Sequence, residues 1–272
     1  MASAIASLGP SVSCTGSGSD PSSCSFSSEI PRAGGSTWQG GATPPGRLGA
    51  ALAYFPPQQE VVLFGGKTSN GAYLADTWTY RGGVWNETGA IGPAGRQDPS
   101  MAYYPLLGDL VLFGGYESGP AVGSSTWLFS GSMWTKSTAA GPSGRYEAAM
   151  TYDSNLAEIV LFGGINLAAT ELSDTWFFSG SPGAWTSGPT SGPSARDGAV
   201  MADDPVNSEA VLFGGFSNGP GWHNDTWVLT STAIWKNITI GLVPEPAARS
   251  NEGMTWDSTT STVIMTGGFG TL

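Results

Sequence analysis

The chain has 272 residues, of which 41 are glycine and 19 are proline, and only 11% are charged. This much glycine excludes a helical bundle, because each glycine inside a helix costs about 1 kcal/mol. The 11 tryptophans and the 40% of apolar residues exclude a disordered chain, and the net charge of −11 disfavours nucleic acid and anionic membranes as partners. The composition therefore predicts a globular β protein rich in turns and aromatic side chains.

The N-terminal stretch carries both cysteines. Cys14 and Cys24 flank a short polar segment, and we expect them to form a disulfide; the alternative is a pair of free thiols in a cytosolic protein. Residues 1–9 have no basic region followed by a long apolar one. We therefore expect that a secretory signal has been removed or belongs to a longer parent chain, and that the protein is extracellular or lies at the cell surface.

Three Asn-x-Ser/Thr sequons support this location weakly, because chance alone accounts for some of them in a chain this rich in serine and threonine. Asn224 lies in a motif that repeats for another reason. Asn86 and Asn237 are the candidate glycosylation sites.

Residues 38–268 are organised as a repeat. The sequence Val-Leu-Phe-Gly-Gly recurs, with its glycine pair at 65–66, 114–115, 163–164 and 214–215, and a degraded copy ends at Gly268. The period is close to 50 residues, which is a signature of repeat architectures.

Further landmarks recur in the same order in every unit. An arginine opens each unit, at Arg47, Arg96, Arg145, Arg196 and Arg249. An Asp-Thr-Trp motif follows the glycine pair, with its aspartates at Asp76, Asp174 and Asp225 and its tryptophans at Trp78, Trp127, Trp176 and Trp227; the second copy has Ser125 in place of the aspartate. A second tryptophan closes each unit, at Trp38, Trp85, Trp134, Trp185 and Trp235.

Each unit predicts four short antiparallel strands. In the third unit, residues 148–152 begin with small side chains, as suits an innermost strand, and residues 158–162 form an apolar run typical of a strand buried on both faces. The segment 165–173 contains neither glycine nor proline, and we expect one helical turn there.

These motifs resemble Kelch repeats, in particular those of bacteria and archaea. The resemblance covers residues 38–268 and implies an all-β fold, a β-propeller of four-stranded antiparallel blades. Whole repeats then span about 39–85, 86–134, 135–185 and 186–235, after an N-terminal extension over 1–24. We expect residues 25–38 to complete the partial repeat 236–272 and to close a ring of five blades; the alternative is a fragment of a larger propeller.

The repeated residues are predicted to be structural. Each arginine would tie its blade to a neighbour through a carboxylate or turn carbonyls, because its guanidinium offers five donors in a fixed fork. Asp76, Asp174 and Asp225 would accept hydrogen bonds from the loop backbone as Asx turns. A binding site is expected where the repeats differ.

The resemblance places the ligand face of Kelch propellers at the start of the first strand and in the loop between the second and third strands. The candidate binding residues there are Asp98, Tyr116, Tyr146, Glu147, Asp197, Phe216, Trp222, His223 and Glu252. Converging carboxylates bind cations or basic side chains, and aromatic residues stack on sugars or pack against proteins. The alternative is that each carboxylate pairs with its adjacent arginine and that Trp222 folds back over the blade edge.

The function that we expect is non-catalytic binding of a protein or glycan partner, with no cofactor and no metal. Kelch-type copper radical oxidases need two histidine ligands, and this chain has only His223. The same shortage argues against a zinc site, and no Gly-x-Ser-x-Gly motif accompanies a catalytic triad. A sugar-modifying enzyme resembling the sialic-acid epimerases of the Kelch type is the alternative. We expect the propeller to be part of a larger surface protein.

Overall fold

The computed structural model describes residues 12–14, 24–26, 42–119, 121–239 and 246–270. The chain divides into two compact units, Met1–Gly40 and Gly41–Leu272. Within the described ranges, no helix is long and apolar enough to cross a membrane.

The first unit contains a two-stranded antiparallel sheet. Strand β1 (Val12–Cys14) pairs with β2 (Cys24–Phe26), and the register sets Cys14 opposite Cys24. The side chains of both cysteines lie outside the described part of the chain, so the disulfide stays a prediction. Residues 27–38 also lie outside it, so the completion of a fifth blade by residues 25–38 stays a prediction as well.

The second unit consists mainly of four antiparallel sheets of four strands each. The first blade contains β3 (Ala51–Phe55), β4 (Glu60–Phe64), β5 (Thr77–Arg81) and β6 (Val84–Glu87). The second region contains β7 (Arg96–Gln97), β8 (Ser100–Tyr104), β9 (Asp109–Phe113), β10 (Tyr116–Glu117), β11 (Ala121–Val122), β12 (Thr126–Phe129) and β13 (Trp134–Lys136). Its blade is formed by β8, β9, β12 and β13, while β7, β10 and β11 form a separate small sheet.

The third and fourth blades repeat this plan. The third contains β14 (Ala149–Asp153), β15 (Glu158–Phe162), β16 (Thr175–Ser179) and β17 (Ala184–Ser187). The fourth contains β18 (Val200–Asp204), β19 (Glu209–Phe213), β22 (Thr226–Thr230) and β23 (Trp235–Asn237), with the hairpin β20 (Phe216–Ser217) and β21 (Gly221–Trp222) inserted before β22.

A fifth sheet contains β24 (Arg249–Asp257) and β25 (Thr262–Gly270), which pair antiparallel. The predicted all-β fold of four-stranded antiparallel blades is therefore confirmed in four units. The number of blades in the ring stays a prediction.

The core lies between neighbouring blades. Val62 and Phe64 of the first blade pack with Leu110, Leu112 and Trp134 of the second, and all five are buried. Equivalent clusters join the second blade to the third and the third to the fourth. The apolar run of each second strand explains this arrangement, because both of its faces are covered by neighbours.

The tryptophans that close the second, third and fourth units each link two blades. Trp134 Nε1 in the second blade donates to Thr77 Oγ1 in the first at 2.9 Å, and its ring lies edge-on to Phe64. Trp185 and Trp235 make the same bond to the threonine of the preceding blade, at Thr126 and Thr175. The threonine of Asp-Thr-Trp thus accepts the indole of the next unit, a pairing that the sequence alone did not reveal.

The helical turn predicted over 165–173 is wrong. Ile165 pairs with Glu171 in a short hairpin, and the Asn166 side chain accepts hydrogen bonds from the backbone N–H groups of Ala168 and Thr170. This Asx turn replaces the helical bonds, because an asparagine side chain competes for the backbone donors.

Candidate functional site

The five repeated arginines stand where the first strand of each unit begins, and we call this end of the propeller the arginine end. In the third blade, Arg145 donates to both carboxylate oxygens of Asp174, at 2.5 and 2.9 Å, and to Gly163 O at 3.0 Å. Burial opposes ionisation, but the hydrogen bonds from Arg145 and Trp176 hold the pKa of Asp174 below its ordinary value. The first and fourth blades contain the same network, in Arg47, Asp76 and Trp78 and in Arg196, Asp225 and Trp227.

Four of the arginines, Arg96, Arg145, Arg196 and Arg249, join two blades, although not in the way predicted. Each side chain binds within its own blade, and each main chain binds the preceding one. Arg196 N donates to Leu172 O at 3.1 Å, and Gly164 N donates to Arg196 O at 2.9 Å. The approach is so close that a side-chain carbon on Gly163 would lie 2.6 Å from Arg196 O, which explains the glycine at this position.

The second blade lacks this aspartate, and a different carboxylate binds its arginine. Arg96 Nη2 lies 3.0 Å from Glu117 Oε1, in the loop between the second and third strands. Ser125 stands at the aspartate position, and the buried Trp127 Nε1 has no hydrogen-bond partner within the described residues. Glu117 therefore replaces the aspartate for the arginine but not for the indole.

The residues just after the arginines form a curved series that we call the arc: Gly49, Asp98, Glu147, Gly198 and Asn251. All five have left-handed backbone angles, with φ between 54° and 63°. Four backbone hydrogen bonds of 2.7 to 3.1 Å link them in series. A left-handed backbone is uncommon for glutamate, and such positions cluster at functional sites.

Two of the predicted site residues, Glu147 and Asp197, form a carboxyl pair beside the arc. The two residues are brought together where Gly198 N, directly after Asp197, donates to Glu147 O at 3.0 Å. Burial, followed by the charges of Asp98 and Asp197, raises the pKa of Glu147 to about 7. Burial, followed by the charge of Glu171, raises the pKa of Asp197 to about 6.

Asp98 lies next to this pair on the arc. Burial raises its pKa, while a hydrogen bond from Gln97 and the charge of Lys67 oppose the shift. Its neighbour Arg96 binds Glu117 instead. Asp98 therefore does not pair with its adjacent arginine, in contrast to the alternative stated above.

A row of tyrosines flanks the carboxyl groups. The ring of Tyr116 stacks on Tyr73 at a centroid distance of 6.0 Å and meets Tyr146 edge-on at 5.4 Å. Lys67 Nζ lies 4.9 Å from the centroid of Tyr73. Burial, followed by the charge of Glu147, raises the pKa of Tyr146, so its hydroxyl stays neutral. We call the surface formed by Tyr73, Tyr116, Tyr146, Asp98, Glu147 and Asp197 the tyrosine–carboxyl patch.

The hairpin of the fourth blade lies at the same end as the patch. Phe216 exchanges backbone hydrogen bonds with Asp197, and its ring meets Trp222 edge-on at 5.6 Å. Trp222 is 41% exposed and so does not fold back into the core. Tyr73 and Glu171 occupy the equivalent hairpin position in the first and third blades. Trp222 therefore has counterparts in position, although neither of them is a tryptophan.

His223 is directed away from this surface. Its Nε2 lies 2.8 Å from Ser217 Oγ, whose hydroxyl donates to Ala195 O. Because the serine hydroxyl proton is already used in the bond to Ala195 O, His223 Nε2 donates to Ser217 Oγ. His223 Nδ1 lies 4.0 Å from Asp225, which is too far for a hydrogen bond. Burial, followed by the charge of Arg196, lowers the pKa of His223. The Ser-His-Asp geometry of a hydrolase is therefore absent at these three residues.

Glu252 is also separate from the patch. Its carboxyl group is buried against the fourth blade, close to Gly214 and Gly268. Neither carboxyl oxygen has a partner among the residues described, and burial raises the pKa to about 7 despite the charge of Arg249. Burial in a blade interface therefore favours the protonated form of Glu252.

Asn86 and Asn237, the candidate glycosylation sites, are both exposed on outer strands. Exposure is what a glycosylation acceptor requires, and glycosylation at both residues stays a prediction.

A family model described as the KLHDC2/KLHL20/DRC7 Kelch-repeats domain matches residues 107–271, more than half of the chain. The chain belongs to the Kelch-repeat family. Among solved structures, one described as "Structure of YjhT" is similar, with 16% identity over 84% of this chain and 74% of that chain, and a TM-score of 0.66. At this identity the likeness shows the fold alone. No curated protein matches the sequence.

Three contributors to this region lie in the expected ligand-face loops but were not among the candidate binding residues. Lys67 and Tyr73 extend the tyrosine row, and Glu117 pairs with Arg96. The signal for Glu117 was present, because the copy that lacks the aspartate is the one that carries a glutamate directly after its glycine pair and tyrosine.

Proposed function

We propose that this Kelch propeller is a non-catalytic binding module whose protein or glycan partner contacts the tyrosine–carboxyl patch. One observation carries the proposal: Glu147 and Asp197, brought together by the hydrogen bond from Gly198 N to Glu147 O, lie beside the row Tyr73, Tyr116 and Tyr146. Aromatic faces supply apolar contact, and neighbouring carboxyl and hydroxyl groups supply directional hydrogen bonds, a combination typical of recognition surfaces.

The arginine contacts favour binding over sugar chemistry. A Kelch-type sialic-acid epimerase, as the resemblance implies it, uses arginine at the mouth of the ring. Here the side chains of Arg145 and Arg196 are at most 1% exposed and already bind Asp174 and Asp225. Such arginines serve the scaffold, and no free guanidinium at these two positions faces a sugar carboxylate.

The enzyme alternative rests on the pKa of Glu147, about 7, because a general acid or base works best near the operating pH. Incubating the protein with a sialic acid and following its anomers by NMR tests it. Turnover that E147Q abolishes would replace the binding proposal with the enzyme.

Glycan and protein arrays probed with the purified domain test the proposal itself. A hit is then titrated against Y116A and E147Q, with E87Q as the control, because Glu87 is exposed on the outer strand β6. We expect each patch variant to weaken Kd about tenfold and the control to leave it unchanged. An absence of hits on both arrays, or hits that bind the patch variants as tightly as the wild type, would contradict the proposal.

An extracellular or cell-surface location is part of the same proposal. The register of β1 and β2 sets Cys14 opposite Cys24, as a cross-strand disulfide requires. Thiol titration under denaturant, on protein made in oxidising conditions, should find no free thiol. Two free thiols would remove the main support for this location.

A further inference from the structure

The fifth sheet, formed by β24 and β25, is joined to the fourth blade by polar contacts. Three backbone hydrogen bonds of 2.8 to 3.1 Å cross this joint, from Gly215 N to Arg249 O, from Arg249 N to His223 O and from Asn251 N to Gly198 O. The three clusters of buried apolar side chains in the described residues join the first four blades to one another, and none includes a residue of β24 or β25. Parts of a fold with few buried apolar contacts open most readily, so we expect this sheet to separate before the others.

Glu252 stands where the other four units have a small side chain. Its Cβ lies against the second glycine of its own unit, because a Cβ added to Gly268 would be only 3.1 Å away. The residues that contact the second glycine in the same way in the other units are Ala50, Pro99, Ala148 and Ala199. Among the five units, the fifth alone therefore places an ionisable side chain at this position.

The carboxyl group of Glu252 is enclosed in the joint. Glu252 is 7% exposed, and its Oε1 would lie 2.8 Å from a Cβ added to Gly214 of the fourth blade. Neither Oε1 nor Oε2 has a hydrogen-bond partner within the described residues. A buried carboxylate without partners is costly, whereas a protonated carboxyl group carries no charge into the interface. The sheet therefore docks most favourably when Glu252 is protonated.

The charge that acts on this carboxyl group comes from its own strand. Burial raises the pKa of Glu252 to about 7, and the charge of Arg249 opposes the shift. Strand β25 has no charged residue. The titratable residues in the facing segments of the fourth blade are Arg196, Asp197, Asp203, Asp204, His223 and Asp225.

These fourth-blade groups have other surroundings. Arg196 and Asp225 bind each other, and His223 bonds to Ser217. Asp197 belongs to the tyrosine–carboxyl patch, and the two remaining carboxylates lie at the end of β18 that is farther along the chain from the three hydrogen bonds of the joint. Glu252 is therefore the titratable group whose charge state most directly affects docking of the fifth sheet.

We propose that this joint is a pH-sensitive switch, in which the fifth sheet stays docked while Glu252 is protonated and separates from the fourth blade more often once Glu252 ionises. Because the docked form holds the proton more tightly than the open form, each rise of one pH unit between about pH 5 and pH 7 should increase the ratio of open to docked molecules by up to about tenfold. Above about pH 7 both forms are ionised, and the ratio levels off. Opening releases Asn251 from Gly198, so the switch acts at one end of the arc.

Amide hydrogen exchange followed by NMR from pH 5 to pH 8 tests the switch, because protection factors corrected for intrinsic exchange report the opening equilibrium. The amides that donate across the joint, those of Gly215, Arg249 and Asn251, should lose protection by about tenfold or more between pH 5 and pH 7 and little further above it. Gly66 is the internal control, because its amide makes the equivalent bond to Arg96 O between the first and second blades, and it should lose less protection.

Two variants show whether Glu252 causes the loss. E252Q keeps the size of the side chain without its ionisation, and E252A introduces the residue that the third and fourth units have at this position. In both, the three donors should lose less than about threefold in protection between pH 5 and pH 7, whereas the control E87Q, which changes an exposed residue of β6, should follow the wild type. Donors that keep their protection in the wild type, or that lose it equally in both Glu252 variants, would overturn the proposal. No partner enters the measurement, so its failure is distinguishable from failure of the proposed function.

Discussion

Replacing Arg145 with alanine should lower the free energy of unfolding by about 3 kcal/mol. The guanidinium is fully buried and donates to Gly163 O, Ser143 O and both oxygens of Asp174. Alanine leaves Gly163 O without its side-chain donor and leaves a cavity, and an unsatisfied buried group alone costs about 1–3 kcal/mol. The Asp174 side chain is 43% exposed, so water screens its charge and the lost ion pair adds no more than about 1 kcal/mol.

Arg249 provides the matched control. It donates to Ala247 O and Gly267 O in an exposed setting, and no salt bridge to it is present in the described part of the chain. Arg249→Ala should therefore cost less than about 1 kcal/mol. Urea unfolding followed by tryptophan fluorescence measures both variants. Equal losses for the two, or a loss below 1 kcal/mol for Arg145→Ala, would refute the view that the buried Arg-Asp-Trp network stabilises each blade.

Three other predictions concern stability. Ser125→Asp should raise the free energy of unfolding by about 1 kcal/mol, because it gives the buried indole N–H of Trp127 an acceptor; a loss of stability in the same urea assay would count against the network. Glu147 and Glu252 have folded pKa values of about 7, above their unfolded values, so their contribution is fully present below pH about 4 and is lost as pH rises through 7. Unfolding free energies measured from pH 4 to 8 should fall, less steeply in Glu252→Gln, and a flat profile would contradict this. Deletion of residues 1–38 should cause aggregation or lower the melting temperature if they complete the fifth blade, whereas unchanged melting of a monodisperse product would favour a fragment of a larger ring.

The repeat made the blades predictable from the sequence. Because the arginine, the glycine pair and the two tryptophans recur at one period, each copy confirms the strand assignment of the others. The helical turn at 165–173 failed for a local reason: one asparagine side chain, Asn166, captures the backbone donors. The absence of glycine and proline does not reveal that a side chain competes with the helix for these N–H groups.

The candidate site was predictable only in part. The idea that functional residues break the repeat led to Tyr116, Tyr146 and Glu147, which the structure brings together. It also selected His223, whose side chain bonds to Ser217 within its own hairpin, and Glu252, whose carboxyl group lies in a blade interface. The direction of the side chain decides whether such a residue reaches the site. A single sequence does not predict this direction where a hairpin interrupts the strand register.

Hydrogen-exchange footprinting with a ligand from the arrays tests the central claim most directly, because it reports which end of the propeller the partner covers. The account predicts slower exchange in the hairpins at 67–73 and 116–122 and at Tyr146 and Glu147, with the turns at 104–109 and 153–158 unchanged. Protection confined to those turns, or no protection in either region, would contradict the assignment of the tyrosine–carboxyl patch as the binding site.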